Sequence, residues 1–332
     1  MANIESFAPV ATLSRGAVAR RRYWRTTALA YAFLAPALLI IGLFHLFPVA
    51  FAFYISLWKW GVLPERFVGF GNYALLLQDD DFKSALVHTV WFAVLTVPAG
   101  LTFALFVALL LNRRLKGLAF FRASYFIPYV TSSVAAATVW RFIFSDKGLA
   151  SSLWQFLGLS TPKWIDEPKG IFQMAALQLG QHIPTWAYGP SLAMVCIAVM
   201  SIWYAQGFDM IVFLAGLTSI PRDLYEAGRI DGGGEWQLFR HITWPMLLPT
   251  TFFLLIISTI RSFQAFNQIY IMTAGGPVNT TTVTTLLLYN TAFRYGKAGY
   301  GTSMAFVLFA VILALTLVQT RLLASRVEET RG

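Results

Sequence analysis

Between two long apolar runs the chain reads Ser219-Ile220-Pro221-Arg222-Asp223-Leu224-Tyr225-Glu226-Ala227-Gly228-Arg229-Ile230-Asp231-Gly232-Gly233-Gly234-Glu235-Trp236-Gln237-Leu238-Phe239-Arg240-His241-Ile242-Thr243-Trp244-Pro245-Met246-Leu247-Leu248-Pro249. A connection between two helices needs far less chain than this, so the segment has structure of its own. Pro221 suits a first helical turn, where its missing N–H is not required. Asp223 and Glu226 fall in the early turns, where carboxylates oppose the helix dipole favourably. Leu224, Ala227 and Ile230 repeat at helical spacing, Asp231-Gly232-Gly233-Gly234 is a turn signal, and Trp236, Phe239 and Ile242 form a second apolar stripe. The expectation is a helix-turn-helix on a membrane surface, and floating at the headgroups is one reading of it.

Outward from this segment the chain is dominated by apolar runs. Of its 332 residues 57% are hydrophobic and 12% charged, against roughly 25% charged in a soluble domain. Mean hydropathy is +0.63. That balance excludes an ordinary soluble enzyme, and 16% aromatic content excludes disorder. A hydrocarbon layer about 30 Å thick needs about 20 apolar residues in a helix, because backbone polar groups in lipid must pair within the segment. Six stretches qualify: Ala28 to Leu57, Leu86 to Leu111, Phe121 to Phe144, Pro190 to Leu217, Met246 to Thr273 and Thr302 to Leu323. A weaker stretch, Ile171 to Trp186, is interrupted by Gln173, Gln178, Gln181 and His182 and reads as an external amphipathic or entry segment.

Six spans put both ends on one side, and Lys and Arg choose the side. The loops that share a side with the termini carry fifteen of them, from Arg15 to Arg331; the opposite loops carry nine, from Lys59 to Lys297, and Arg261 completes the total of 25. Both termini are therefore expected in the cytoplasm, and the net charge of +10 is explained without nucleic acid. The division expected is a cytoplasmic N-terminal segment over 1–27, a transmembrane domain over 28–323 with its cytoplasmic loop at 219–245, and a cytoplasmic tail over 324–332. The arginine-rich N-terminus before an apolar run imitates a cleavable signal peptide, but the run is longer than a signal core of 7–15 residues and continues apolar past the would-be cleavage point. An uncleaved first span is expected.

Glu226, Ala227, Asp231, Gly232, Phe239, Ile242, Pro245 and Pro249 together resemble the EAA loop of bacterial ABC importer permeases. Two positions depart from the usual pattern, Gly228 and Gly233, where the family often has Ala. Three further blocks extend the resemblance to the sugar-permease branch related to maltose and glycerol-3-phosphate uptake: Phe67-Val68-Gly69-Phe70-Gly71-Asn72-Tyr73, Phe121-Arg122-Ala123-Ser124-Tyr125-Phe126-Ile127-Pro128, and Ile269-Tyr270-Ile271-Met272-Thr273-Ala274-Gly275-Gly276-Pro277. The resemblance implies an all-α polytopic membrane protein with the type I ABC importer permease fold, in the cytoplasmic (inner) membrane of a bacterium or archaeon. It implies four partners besides membrane lipid: a second permease subunit, a dimeric ABC ATPase, an extracytoplasmic solute-binding protein and a sugar or polyol solute. Glu226, Ala227, Gly228, Asp231, Gly232 and Phe239 would meet the ATPase. The chain lacks a Gly-x-x-x-x-Gly-Lys-Ser/Thr loop, so ATP and Mg are expected on the partner ATPase, with no cofactor held here.

Charge inside hydrocarbon is costly and usually marks a pathway. Arg261 reads as the charged side chain near mid-span, with no acidic residue expected in the span cores. Ser258, Ser262, Gln264 and Asn267 lie around it, and Ser201, Tyr204 and Phe208 recur at helical intervals on the preceding span. The resemblance places these eight residues at sugar-contacting positions, where a ring suits a sugar face and hydroxyls or amides its rim. Helix-helix bonding by Ser and Gln is the alternative. His45, His88, His182 and His241 lack metal-ligand spacing, so no metal is expected, and the single Cys196 has no partner in the chain. A secondary transporter or channel would show inverted repeats or paired broken helices, and neither is visible in the sequence. An intramembrane enzyme would need clustered catalytic side chains in the spans.

Overall fold

A computed structural model describes residues 15–113, 116–184 and 187–329, with side chains from 23 to 322 within those ranges. Residues 1–14 of the expected N-terminal segment and 330–332 of the tail lie outside the described residues. The chain divides into two units, one running to Ile55 and the other from Ser56 onward. In the first, α1 (Arg15–Ile41) passes through a π-helical turn at Gly42–Leu46 into α2 (Phe47–Ser56). Tyr23–Ser56 makes 34 helical residues, with a mean hydropathy of 2.3 over its apolar 18-residue stretch, long enough to cross a membrane.

The second unit opens with a small antiparallel hairpin, β1 (Trp58–Trp60) and β2 (Pro64–Phe67), in which Trp58 faces Phe67; hydropathy gave no sign of it. After it comes α3 (Gly71–Leu76). Asn72, buried, donates from Nδ2 to the carbonyls of Ser56 (2.8 Å) and Trp58 (3.0 Å), so the block from Phe67 to Tyr73 serves as a clamp on the chain leaving the first helix. Asp79 caps α4 (Asp80–Leu111) by accepting from Phe82 N at 3.1 Å, and Tyr300 donates to its other carboxylate oxygen at 2.5 Å.

The third expected span is not one helix. It is divided into α5 (Leu118–Val130) and α6 (Ser133–Ile143). Thr131 is extended and its hydroxyl donates to Pro128 O, while Ser132 takes the N-cap position of α6. Polar caps stop and restart the helix where average hydropathy stays high. Two short helices, α7 (Leu149–Phe156) and α8 (Ile171–Gln178), follow, the latter shorter than the weak stretch that ends at Trp186, itself outside the described residues. The span α9 (Leu192–Thr218) starts two residues after Pro190 because Ser191 is its N-cap.

The loop helix α10 (Arg222–Ile230) leads through the glycine turn to α11 (Glu235–Leu238), a π-helical turn at Phe239–Thr243, and α12 (Trp244–Phe263). These last three form one helix, Glu235–Phe263, of 29 residues. The second arm of the expected helix-turn-helix is therefore the N-terminal extension of the fifth span. That span also ends early: α12 stops at Phe263 and α13 (Asn267–Met272) begins after a break. The chain finishes with α14 (Thr284–Tyr289) and α15 (Ala298–Glu329). Among the described residues, five helices are long and apolar enough to span a membrane, and the sixth expected crossing is the α5–α6 pair.

The core is α4 against α9, closed by α12. Val97, Leu101, Ala104, Val107 and Ala108 pack on Met210, Phe213, Leu214 and Leu217, with Leu247 and Leu254. Lipid removes the hydrophobic drive between helices, so small residues that allow close approach carry much of the packing. Gly207 is one: a Cβ there would meet Tyr125 O at 2.5 Å and Phe126 Cα at 2.9 Å, both backbone atoms of α5. Gly207→Ala should lower unfolding stability by about 1–3 kcal/mol, the usual cost of overpacking. The check is the denaturation midpoint in detergent micelles, and an unchanged midpoint would contradict this packing.

Candidate functional site

The loop site is built from α10 and the first turns of the α11–α12 helix. Gly232 has φ +82, in the left-handed region where glycine carries no Cβ penalty, and it reverses the chain after Asp231. Gly233 N then donates to Gly228 O at 2.9 Å. A Cβ on Gly233 would lie 2.7 Å from that same oxygen, and one on Gly228 would lie 2.7 Å from Leu238 Cδ2. The two departures from alanine therefore permit α10 to lie this close to α11. Gly234 N donates to Gln237 Oε1 at 2.8 Å, and the hydroxyls of Tyr225 and Thr243 meet at 2.9 Å. The last of these bonds ties α10 directly to the long helix.

Glu226, Ala227 and Asp231 are exposed on this element, and Gly228 and Phe239 are half-buried. Phe239 stacks on Trp236 at 5.5 Å between centroids. Leu224 and Ile230 are exposed, so α10 turns apolar and acidic side chains outward together. Arg229 and Glu235 approach to 3.4 Å, both well exposed; such a pair contributes little. A hollow of about 860 Å³ runs between α10, α11 and the adjoining ends of α4 and α9, reached by Tyr225, Glu226 and Phe239.

The second site is a cavity of about 430 Å³ between α4, α9 and α12. Seven of the eight expected residues line it: Ser201, Tyr204, Ser258, Arg261, Ser262, Gln264 and Asn267. Phe208 does not. Its ring packs on Tyr129 at 5.3 Å and lies 5.8 Å from the Arg261 guanidinium carbon, so it supports the arginine from outside the cavity. Ser262 is buried and shares a hydrogen bond of 3.0 Å with Thr96 of α4, which is helix-helix bonding.

One expectation fails. The spans do contain an acidic residue: Asp209 on α9, 3% exposed. Arg261 Nη2 donates to Asp209 Oδ1 at 2.8 Å and to Ser258 Oγ at 2.9 Å, so the compensation for Arg261 lies within the chain. Asp209 was legible as the one carboxylate between Leu192 and Thr218, and a lone Asp beside a lone Arg on adjacent spans is the signal that finds it.

Both helix breaks reach this cavity. Ser133, at the start of α6, and Phe266 and Asn267, at the start of α13, are in its wall. Tyr204 donates to Thr131 O at 3.1 Å, Asn267 Nδ2 to Ser133 Oγ at 3.1 Å, and Thr285 to Ala265 O. The paired broken helices that the sequence hid are thus present. Of the histidines, His88 sits 3.1 Å from Thr282 O, and Cys196 is buried.

Residues 100–329 match the model of the family described as binding-protein-dependent transport system inner membrane component. The lactose transport system permease protein LacF of Rhizobium radiobacter is 33% identical over 93% of this chain and 97% of its own length. The trehalose/maltose transport system permease protein MalF of Thermococcus litoralis is 32% identical over 89% and 93%. Among solved structures, a bacterial ABC transporter involved in import of the acidic polysaccharide alginate shares the fold with a TM-score of 0.75, at 21% identity, covering 92% of this chain and 99% of that one. The chain belongs to the inner membrane components of binding-protein-dependent transport systems: it is a multi-pass permease subunit of an ABC transporter, not an enzyme.

Proposed function

We propose that this permease moves a sugar or related polyol inward through the α4–α9–α12 cavity, driven by a separate dimeric ATPase docked on α10. The single observation that carries the reading is mechanical: the exposed α10 is bonded through Tyr225 to Thr243 on the helix whose other end holds Arg261 in the cavity wall. A push on α10 is transmitted along one continuous helix, Glu235–Phe263. Closure of the ATPase pair on ATP then moves that lever, and the spans exchange inward-open for outward-open states. Glu226 pairs with a basic residue of the ATPase cleft, Ala227, Gly228 and Asp231 form the seated surface, Gly232 makes the turn, and Phe239 braces it.

Relatives named for lactose and for trehalose/maltose support a carbohydrate solute, as do the cavity's hydroxyls, amides and the Phe266 ring. A second permease subunit completes the pathway, and an extracytoplasmic binding protein delivers the solute. ATP and Mg belong to the ATPase, with no cofactor in this chain. The domain over 28–323 sits in a bacterial or archaeal inner membrane with loop 219–245, the segment 1–27 and the tail 324–332 all cytoplasmic. For Ser262, bonded to Thr96, helix bonding is the better role.

Glu226→Lys should cut solute uptake and solute-stimulated ATPase activity in proteoliposomes by about tenfold or more, the effect of losing one charge-assisted bond and placing like charges together. Normal rates in well-assembled complexes would sink the coupling role. For topology, with Cys196 replaced, a thiol at Asp80 should react with an impermeant reagent added outside and one at Glu235 should not. The reverse pattern would invert the orientation.

A further inference from the structure

The Arg261–Asp209 pair bears on which solutes the cavity accepts. Its two partners are exposed unequally: the Asp209 side chain is 4% exposed and the Arg261 side chain 33%. The anion is sealed among helices and the cation faces the cavity. Both bonds to Asp209 and Ser258 leave from the same nitrogen, Nη2, and a guanidinium carries five N–H donors in all. Every other described residue in the wall is uncharged, so the formal charge of this chain's share of the cavity is zero while its hydrogen-bonding donors remain.

From this we infer that Asp209 is a specificity-determining residue: by cancelling the charge of Arg261 it sets the cavity for neutral carbohydrate and against acidic sugars. This inference rests on the sugar-importer reading above. A hydroxyl asks only for an N–H donor, which the neutralised fork still offers. A carboxylate must give up its water, and the attraction that would offset that loss is already spent on Asp209, 2.8 Å from the guanidinium. Ser258 and the Phe208 ring hold the arginine in place. Removing the carboxylate charge therefore changes the field in the cavity without removing the fork.

Glucose and glucuronate share a ring and differ by one carboxylate, which makes them the probes. Their binding to the assembled transporter in nanodiscs, without its binding protein, is measured by ligand-observed NMR. The wild type should favour glucose. Asp209→Asn should shift the glucuronate-to-glucose affinity ratio upward by at least about tenfold, the scale of one freed unit charge a few ångströms away. The double variant Asp209→Asn/Arg261→Gln should return the ratio to near the wild-type value. If Asp209→Asn does not assemble, Arg261→Gln carries the same test with opposite sign, since it leaves Asp209 uncompensated and should lower the ratio. A ratio unmoved by either variant, or equal loss of both probes as a purely structural clamp would give, overturns the inference while glucose binding keeps the sugar reading intact. If neither probe binds any form, the sugar reading itself fails and this inference with it.

Discussion

An arginine among apolar helices must be met by an anion, by water or by displaced backbone, and here Asp209 meets it at 2.8 Å. Much of the molecule follows from that one contact. Asp209 lies on α9 and Arg261 on α12, the two helices that the α10 loop joins, so the pair fixes their relative register beside the cavity. Removing Arg261 would leave the sealed Asp209 carboxylate bare, a loss that typically costs about 3–5 kcal/mol for a buried charge. With α9 and α12 bonded at the cavity and α10 bonded to Thr243 at the other end, the three elements are one bonded body, which the proposed mechanism uses as a lever. Its exposed end carries Glu226 and its internal end carries the hydrogen-bonding wall.

The same accounting governs backbone groups. A helix interrupted inside a membrane frees carbonyls, and these are tolerated where side chains or a water-filled cavity receive them. At the α5–α6 break Tyr204 takes Thr131 O, and at the α12–α13 break Thr285 takes Ala265 O. Arg141 crosses from α6 to Ile271 O at 3.2 Å, and Asn267 crosses from α13 to Ser133. The two half-helices are thus bonded to each other as well as to the cavity. Discontinuous helices beside a solute path are a general way of presenting polar backbone in a membrane, and their presence here separates no transporter class from another.

What the sequence disclosed follows physical scale. Hydropathy averages over about a span's length, so it located the apolar runs and the long loop between two of them. The averaging also hid the breaks: Thr131 and Ser132 lie inside the run Phe121 to Phe144, and Pro128, the obvious suspect, sits within α5. Asp209 escaped for a related reason, as one carboxylate in a 27-residue helix with an 18-residue stretch of mean hydropathy 1.6, paired with a residue 52 positions away. The stripe of Trp236, Phe239 and Ile242 was read correctly as helical, but periodicity cannot say that a helix continues through Pro245 into a span. Gly228 and Gly233 read as departures from a pattern and are explained only by the close approach of α10 to Leu238.

On the proposed mechanism α10 and the α11–α12 helix move as one body. Spin labels at Ala227 and Phe253, with Cys196 replaced, report the distance between them by electron–electron double resonance in the assembled transporter, nucleotide-free and trapped with ATP. The lever account predicts the same Ala227–Phe253 distance in both states, while the distance from Ala227 to a label at Val62 on the β1–β2 turn changes between them. A change in the Ala227–Phe253 distance with the Ala227–Val62 distance constant would contradict it, because α10 would then flex on its own and transmit nothing to the cavity.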